Sequence, residues 1–321
     1  MKSVPLPFES VPRHLYSRET LYRGFQPDDP SSWTRTADFA IYRHYVATGR
    51  GASGDPSLRM MQALHDNAVT MSAAEFLAGR KVAAIMGDHK LSRQSAAYRN
   101  VAVLARRLTR SGILVCTGGG PGAMEAGHLG ASLAPAGDGA LDAALERLAV
   151  RPVVPPLMDI VGADGTPDGK LAAEAHAWFR PAFEIAASLR DPSPSLAIPT
   201  WHYGHEPTTP LATHIAKYFQ NSVREDGLLA LAKQGIVFFE GKAGTLQEIF
   251  QDGAQNFYRS FGGFSPMVLV GAEYWSNRLP VLPLMRKLFA PADFDKFILA
   301  TDDIDAAARF IEEFEPQPAG G

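Results

Sequence analysis

From about residue 81 onward, two hydrophobic rhythms alternate along the chain. Short apolar runs at 82–86, 113–117, 196–198, 236–239, 266–270 and 297–299 have the length and β-branched or aromatic content of strands buried on both faces. Between them the apolar positions recur at helical spacing. Ala97, Val101, Leu104, Ala105 and Leu108 mark one face of a helix that lies on a sheet. Further helices are predicted over 213–233, from Thr245 onward and over 282–289. A last one is capped by Asp302 or Asp303 and runs through Phe314. Strand, helix and strand in succession predict parallel pairing with right-handed crossovers. The fold class expected over 79–315 is α/β, a Rossmann-like doubly wound parallel sheet.

Two segments stand outside that rhythm. Residues 1–78 form an N-terminal extension, proline-rich at first, with a turn at 27–30 and helices over 38–48 and 56–77. Its residues carry no recognisable chemistry, and it reads as a helical cover or a dimer contact. Residues from about 132 to 194 read as a helical insertion, with helices over 142–148 and 171–189, a proline-broken stretch at 153–156 and a loop at 164–169. A lid or an oligomer surface is the expected role. Residues 316–321 (PQPAGG) read as a flexible tail.

Composition narrows the function classes. With 321 residues, 46% of them hydrophobic, the chain can bury a substantial core. A net charge of −3 supplies no basic field for nucleic acid. The single cysteine, Cys116, excludes an internal disulfide and fits a reducing compartment. The N-terminal MKSVPLPFESVPRH lacks the apolar core of a signal peptide, and no apolar run approaches the roughly 18 residues of a membrane span. A cytoplasmic protein without membrane or nucleic-acid partners is expected.

The candidate chemistry sits in two glycine-rich strand-to-helix turns. The run IVFF at 236–239 is followed by EGKAG at 240–244 and a helix entering at Thr245, with Glu248 one turn inside. The run ILVCT at 113–117 is followed by GGGPGAMEAGHLGA at 118–131, with Pro121 expected in the first helical turn. Free backbone N–H groups and the helix dipole make such a turn an anion site. Two of them suggest one cleft lined from both sides. For either motif alone, a tight turn without a ligand is the competing reading. Neither is a Walker loop, since Lys242 is followed by Ala243, and neither has dinucleotide-fingerprint spacing. Arg224, on the helix before the second motif, is either a surface charge or a phosphate fork. Trp201 and Tyr203 are candidates for stacking on a heterocycle. His202 and His205 lack helical zinc spacing and a third ligand, so no metal is expected.

With both motifs placed, GGGPGAMEA at 118–126 resembles the first signature of the LOG family, nucleotide-cleaving proteins long mislabelled lysine decarboxylases. GKAGTLQE at 241–248 resembles its second, P-G-G-x-G-T-x-x-E. The GPGAMEA form is particularly similar to the bacterial purine/pyrimidine nucleotide 5′-monophosphate nucleosidases. The resemblance spans roughly 80–315 and implies a Rossmann-like parallel sheet, usually in a homodimer; no cofactor is expected. It implies hydrolysis of a nucleoside 5′-monophosphate to free base and ribose 5-phosphate. Catalytic roles would fall on Glu248, Glu125 and Arg224. Substrate contacts would fall on Gly118, Gly119, Gly120, Gly122, Met124, Asn221, Gly241, Lys242, Gly244 and Thr245.

The residues bear on that chemistry independently. Cleaving an N-glycosidic bond builds positive charge on the ribose, which a nearby carboxylate stabilises or exploits by activating water. Glu248 and Glu125 are the carboxylates on offer; the alternative for each is a charge favoured by a helix N-terminus. Two departures stand out. Glu240 replaces the family proline and Lys242 its second glycine, so three readings stand: Lys242 offsets Glu240, Lys242 clamps the phosphate, or the two mark a changed ligand. A non-catalytic nucleotide-sensing protein is the alternative function. A pyridoxal-phosphate decarboxylase would need a Schiff-base lysine, and Lys242, in the phosphate loop, is badly sited for that.

Overall fold

A computed structural model describes residues 6–137, 139–202, 207–260, 263–289 and 294–316. In chain order the extension carries helices α1 (Arg18–Leu21), α2 (Ala37–Ala47) and α3 (Pro56–Leu77). The core then runs β1 (Lys81–Met86), α4 (Ala96–Arg110), β2 (Ile113–Thr117) and α5 (Ala123–Ser132). The insertion supplies α6 (Ala140–Ala149) and α7 (Gly169–Ser188). Strands β3 (Ser195–Ala197) and β4 (His214–Ile215) follow, then α8 (Asn221–Leu231), β5 (Gly235–Phe238) and α9 (Ala243–Phe257). The chain closes with β6 (Met267–Val270), α10 (Val281–Phe289), β7 (Ile298–Thr301) and α11 (Ile304–Glu312).

The seven strands of the described residues pair in parallel in the order β4-β3-β2-β1-β5-β6-β7. The chain winds outward from β1 in one direction and from β5 in the other, the doubly wound arrangement expected from the alternating pattern. The period of two within each strand sorts side chains to the two faces. Ala83, Ile85, Val115, Val237 and Val268 join a core with α4, α5 and α11. Val82, Ala84, Leu114, Cys116, Ile236, Phe238 and Leu269 join the opposite core with α3, α8, α9 and α10. Order reverses between β1 and β5, and such a switch point leaves a crevice at the carboxyl ends of the strands.

The helix expected over 213–233 is corrected. Only its second half, α8, is helical. Residues 214–215 form the edge strand β4, where Ile215 also exchanges backbone hydrogen bonds of 2.8 and 2.9 Å with Tyr16. The segment from Ala216 to Tyr218 stays extended, because its backbone groups bond to Ala197, Pro199 and Trp201. Tertiary partners on both sides override a local pattern that also fits a helix. Pro121 is likewise outside the helix it was expected to open. Gly122 takes φ 68° and α5 starts at Ala123.

Extension and insertion form one structure. Trp33, Phe39, Tyr42 and Tyr45 of the extension pack in a third core with Trp178, Phe179 and Phe183 of the insertion and with Ile215 and Phe219 at the sheet edge. Trp201 is part of this core. It is 1% exposed, and its Nε1–H donates to Asp38 Oδ1 at 2.9 Å. That buries the ring expected to stack on a heterocycle. Asp38 also receives the buried Lys217 ammonium at 2.7 Å. Tyr203 and His205 and the tail from 317 lie outside the described residues. No described helix is long and apolar enough to cross a membrane.

Candidate active site

At the switch point lies a cleft of about 650 Å³. Of the residues singled out in the sequence, it gathers Gly118, Met124, Arg224, Lys242, Gly244, Thr245 and Glu248. The two glycine-rich turns therefore do face one space. The loop after β1 adds Asp88, His89 and Lys90, the extension adds Arg50, the insertion Met158, and the loop after β3 His202. Asp88, His89 and Lys90 were missed although a signal existed: they follow the strand at the centre of the sheet. Arg50 and Met158 had none, since nothing local says that the extension and insertion fold back over the cleft.

The first turn of α9 has no side-chain cap. Lys242 occupies its N-cap position and offers no side-chain oxygen to the first-turn N–H groups. Thr245 is buried in that turn, with Gly244 and Lys242 exposed beside it. Gly241 is not in the lining. It sits behind Thr245, and its carbonyl accepts a 2.6 Å bond from the Tyr274 hydroxyl. Glu240 is absent from the lining too, and its side chain lies against Gly271. The expectation that Lys242 offsets a facing Glu240 is thereby corrected. Lys242 faces the cleft without that neighbour, because the turn directs the two side chains to different surroundings.

Arg224 is held across the cleft floor. Its Nε donates to the Ile198 carbonyl at 2.8 Å, and its guanidinium occupies the space that a Cβ on Gly118 would take. Any side chain at 118 would also come within 2.8 Å of the Met124 sulfur. Gly118 is thus the gap through which Arg224 reaches the cleft. From behind, Asp66 of α3 fixes the chain ahead of α8, accepting 2.9 Å bonds from the N–H groups of Phe219 and Gln220. Asn221 opens α8 but does not line the cleft.

Glu248, half-buried in the wall, has the most telling electrostatics. Burial pushes its carboxyl up to about 7; Arg224 pulls the other way and Glu225 adds to the rise. A carboxyl poised near neutrality can hold or release a proton under ordinary conditions.

Glu125 is not in the cleft. It is 0% exposed, and Arg93 grips both carboxylate oxygens at 2.6 and 2.7 Å while the Tyr98 hydroxyl donates to Oε2 at 2.8 Å. Although burial opposes the Arg93 charge, Glu125 holds that guanidinium above its ordinary range. Arg93 in turn donates to the Trp178 carbonyl at 2.9 Å and stacks over the Trp178 ring. The expected catalytic carboxylate is here a brace between the first glycine motif and the insertion. Its place in the first turn of α5 gave no warning, because Arg93 arrives from a different loop. Gly119, Gly120 and Gly122 are buried and outside the lining as well. The Gly119 N–H donates to Thr117 Oγ1 at 2.9 Å and its carbonyl accepts from Thr209 at 2.8 Å, so this backbone is satisfied internally. Gly122 packs against the Asp88–His89 backbone, which leaves no room for a side chain.

Among the described residues, no group of three histidine, cysteine, aspartate or glutamate side chains is placed to hold a metal ion. No protein-family model matches the chain, and no curated protein matches it in sequence.

Proposed function

We propose that this protein hydrolyses the N-glycosidic bond of nucleoside 5′-monophosphates, releasing free base and ribose 5-phosphate. The observation that carries the reading is the juxtaposition, at the sheet's switch point, of an uncapped helix N-terminus with a carboxyl poised near neutrality beside an arginine. The resemblance of the two glycine motifs to the LOG family supports the same reading. The 5′-phosphate would sit on the first turn of α9, held by its N–H groups, Thr245 and the Lys242 ammonium. Arg224 would fork onto phosphate or ribose oxygens. Glu248, ionised, would stabilise the cationic ribose or take a proton from the attacking water. Departure of the base with the bonding electron pair leaves the anomeric carbon to that water. The proton lost by the water balances the one gained by the base. Glu125 enters only as a positioning residue, through Arg93. A homodimer is part of the proposal on the family resemblance alone, and a cytoplasmic location on the single cysteine and the apolar pattern.

The test is to incubate the pure protein with a panel of nucleoside 5′-monophosphates and to follow free base and ribose 5-phosphate together. Both products should appear in equal amounts. Binding of nucleotides with no release of base would replace the enzyme reading by a nucleotide-sensing one. No binding at all would remove both.

A further inference from the structure

We propose that Arg50 makes the cleft selective for 5′-nucleotides that carry a second negative group, on the base or on the ribose, away from the 5′-phosphate. This rests on the nucleotide reading above and adds a substrate class to it.

Among the described residues, four cationic side chains line the cleft: Arg50, Lys90, Arg224 and Lys242. Arg224 has Glu248 and Glu225 as neighbours and a carbonyl on its Nε. Lys242 belongs to the turn that would take the 5′-phosphate. Neither Arg50 nor Lys90 has an acidic side chain in ion-pair contact among the described residues. A nucleoside monophosphate has one anionic group, and its common bases are neutral. A guanidinium left over beside such a ligand has no charge to meet.

Arg50 is also placed there at a cost. It takes φ 58°, directly after Gly49 at φ 88°, although a residue with a Cβ disfavours that region. Its neighbours fix the surroundings. The guanidinium opposes the rise that burial imposes on the Tyr45 hydroxyl, and that hydroxyl lies 3.5 Å from His202 Nδ1. Arg50, Met158 and His202 are thus supplied from outside the regular elements of the sheet core, by the extension, the insertion and the loop after β3. The Rossmann-like core offers the phosphate turn; the added segments offer the further cation. Planar donors suit both carboxylate and phosphate.

The test is calorimetric titration of the full chain with three ligands that share a pyrimidine and a 5′-phosphate. They are uridine 5′-monophosphate, orotidine 5′-monophosphate with its base carboxylate, and uridine 3′,5′-bisphosphate. The parent should bind at least one doubly anionic ligand about tenfold or more tighter than the monophosphate, the scale of one charge-assisted contact. Arg50→Ala should bring that ratio to within about twofold of unity, while Arg50→Lys keeps part of it. Added salt should shrink the ratio as exposed charges are screened. The two doubly anionic ligands separate a base-end contact from a ribose-end one. A parent ratio near one overturns the proposal but leaves the nucleotide reading standing. So does an Arg50→Ala loss that is equal for all three ligands, since that marks a guanidinium stacked on the base. If no ligand binds the parent, both readings fall.

Discussion

Glu248 carries the clearest residue-scale consequence. An exposed glutamate titrates near 4.5, and in this fold burial moves it to about 7. Between those values the native state binds more protons than the unfolded chain, so this group's contribution to stability is greatest below about 4.5 and is lost as pH rises through 7. Glu248→Gln removes that dependence. The variant should gain about 1–3 kcal/mol over the parent at pH 8 and little at pH 4.5, read from urea unfolding at both values. On the proposed reaction the same change lowers turnover about a hundredfold or more, while the parent's kcat/KM rises with pH through an apparent pKa near 7. A stabilised variant with unimpaired turnover would take Glu248 out of the mechanism. Gly118→Ala tests the neighbouring arginine. The new methyl group meets the far ends of the Arg224 and Met124 side chains, which can shift, so the fold should survive with a melting temperature within a few degrees. Nucleotide affinity should fall about tenfold as the guanidinium is displaced. Undiminished affinity in a folded variant would show that Arg224 does not touch the ligand.

At the scale of elements, the buried brace between α5 and the insertion is the feature to break. Glu125→Gln leaves the Arg93 guanidinium, 1% exposed, facing a neutral amide. Removing one partner of such a pair costs about 3–5 kcal/mol, most of it the penalty of an uncompensated buried charge. Urea unfolding should show a loss of that size. A loss under about 1 kcal/mol would mean that the pair is replaceable and that Glu125 is free for another role. Arg107 ties α4 to α11 through Glu312 at 2.7 Å and Asp305 at 2.6 Å, but it is exposed enough that the same change there should cost under about 1 kcal/mol. The contrast sets apart two arginines that look alike in the sequence.

For the whole molecule, the extension is structural rather than ornamental. Trp33, Phe39, Tyr42 and Tyr45 fill a core that the insertion and the sheet edge cannot close alone, and Tyr16 covers the edge strand β4. Deleting residues 1–55 would also strip Asp38 from the buried Lys217. The truncated chain should lose cooperative thermal unfolding and bind a hydrophobic dye, because Trp178 and Phe179 are uncovered. A truncated chain that melts as sharply as the parent would return the extension to the status of a cover.

The alternation of short apolar runs with helical spacing was enough, without any structure, to determine the parallel α/β core. Strands buried on both faces read as short unbroken apolar runs and helix burial recurs every 3.6 residues, and both are written locally. The two glycine motifs were legible for the same reason, since a strand that ends on glycines and starts a helix exposes its own backbone. Which carboxylate faces the cleft was not legible. Glu125 and Glu248 stand alike, each near a helix start, and only the arrival of Arg93 from another loop buries the first and leaves the second open. The same holds for Trp201, withdrawn into a core that residues over 150 positions away complete, and for the extended segment around β4, kept from helix by partners on both sides. Arg50 reaches the cleft only because the aromatic residues of the extension pack on those of the insertion. Local periodicity fixed the frame; long-range packing and the pairing of buried charge decided what faces the site.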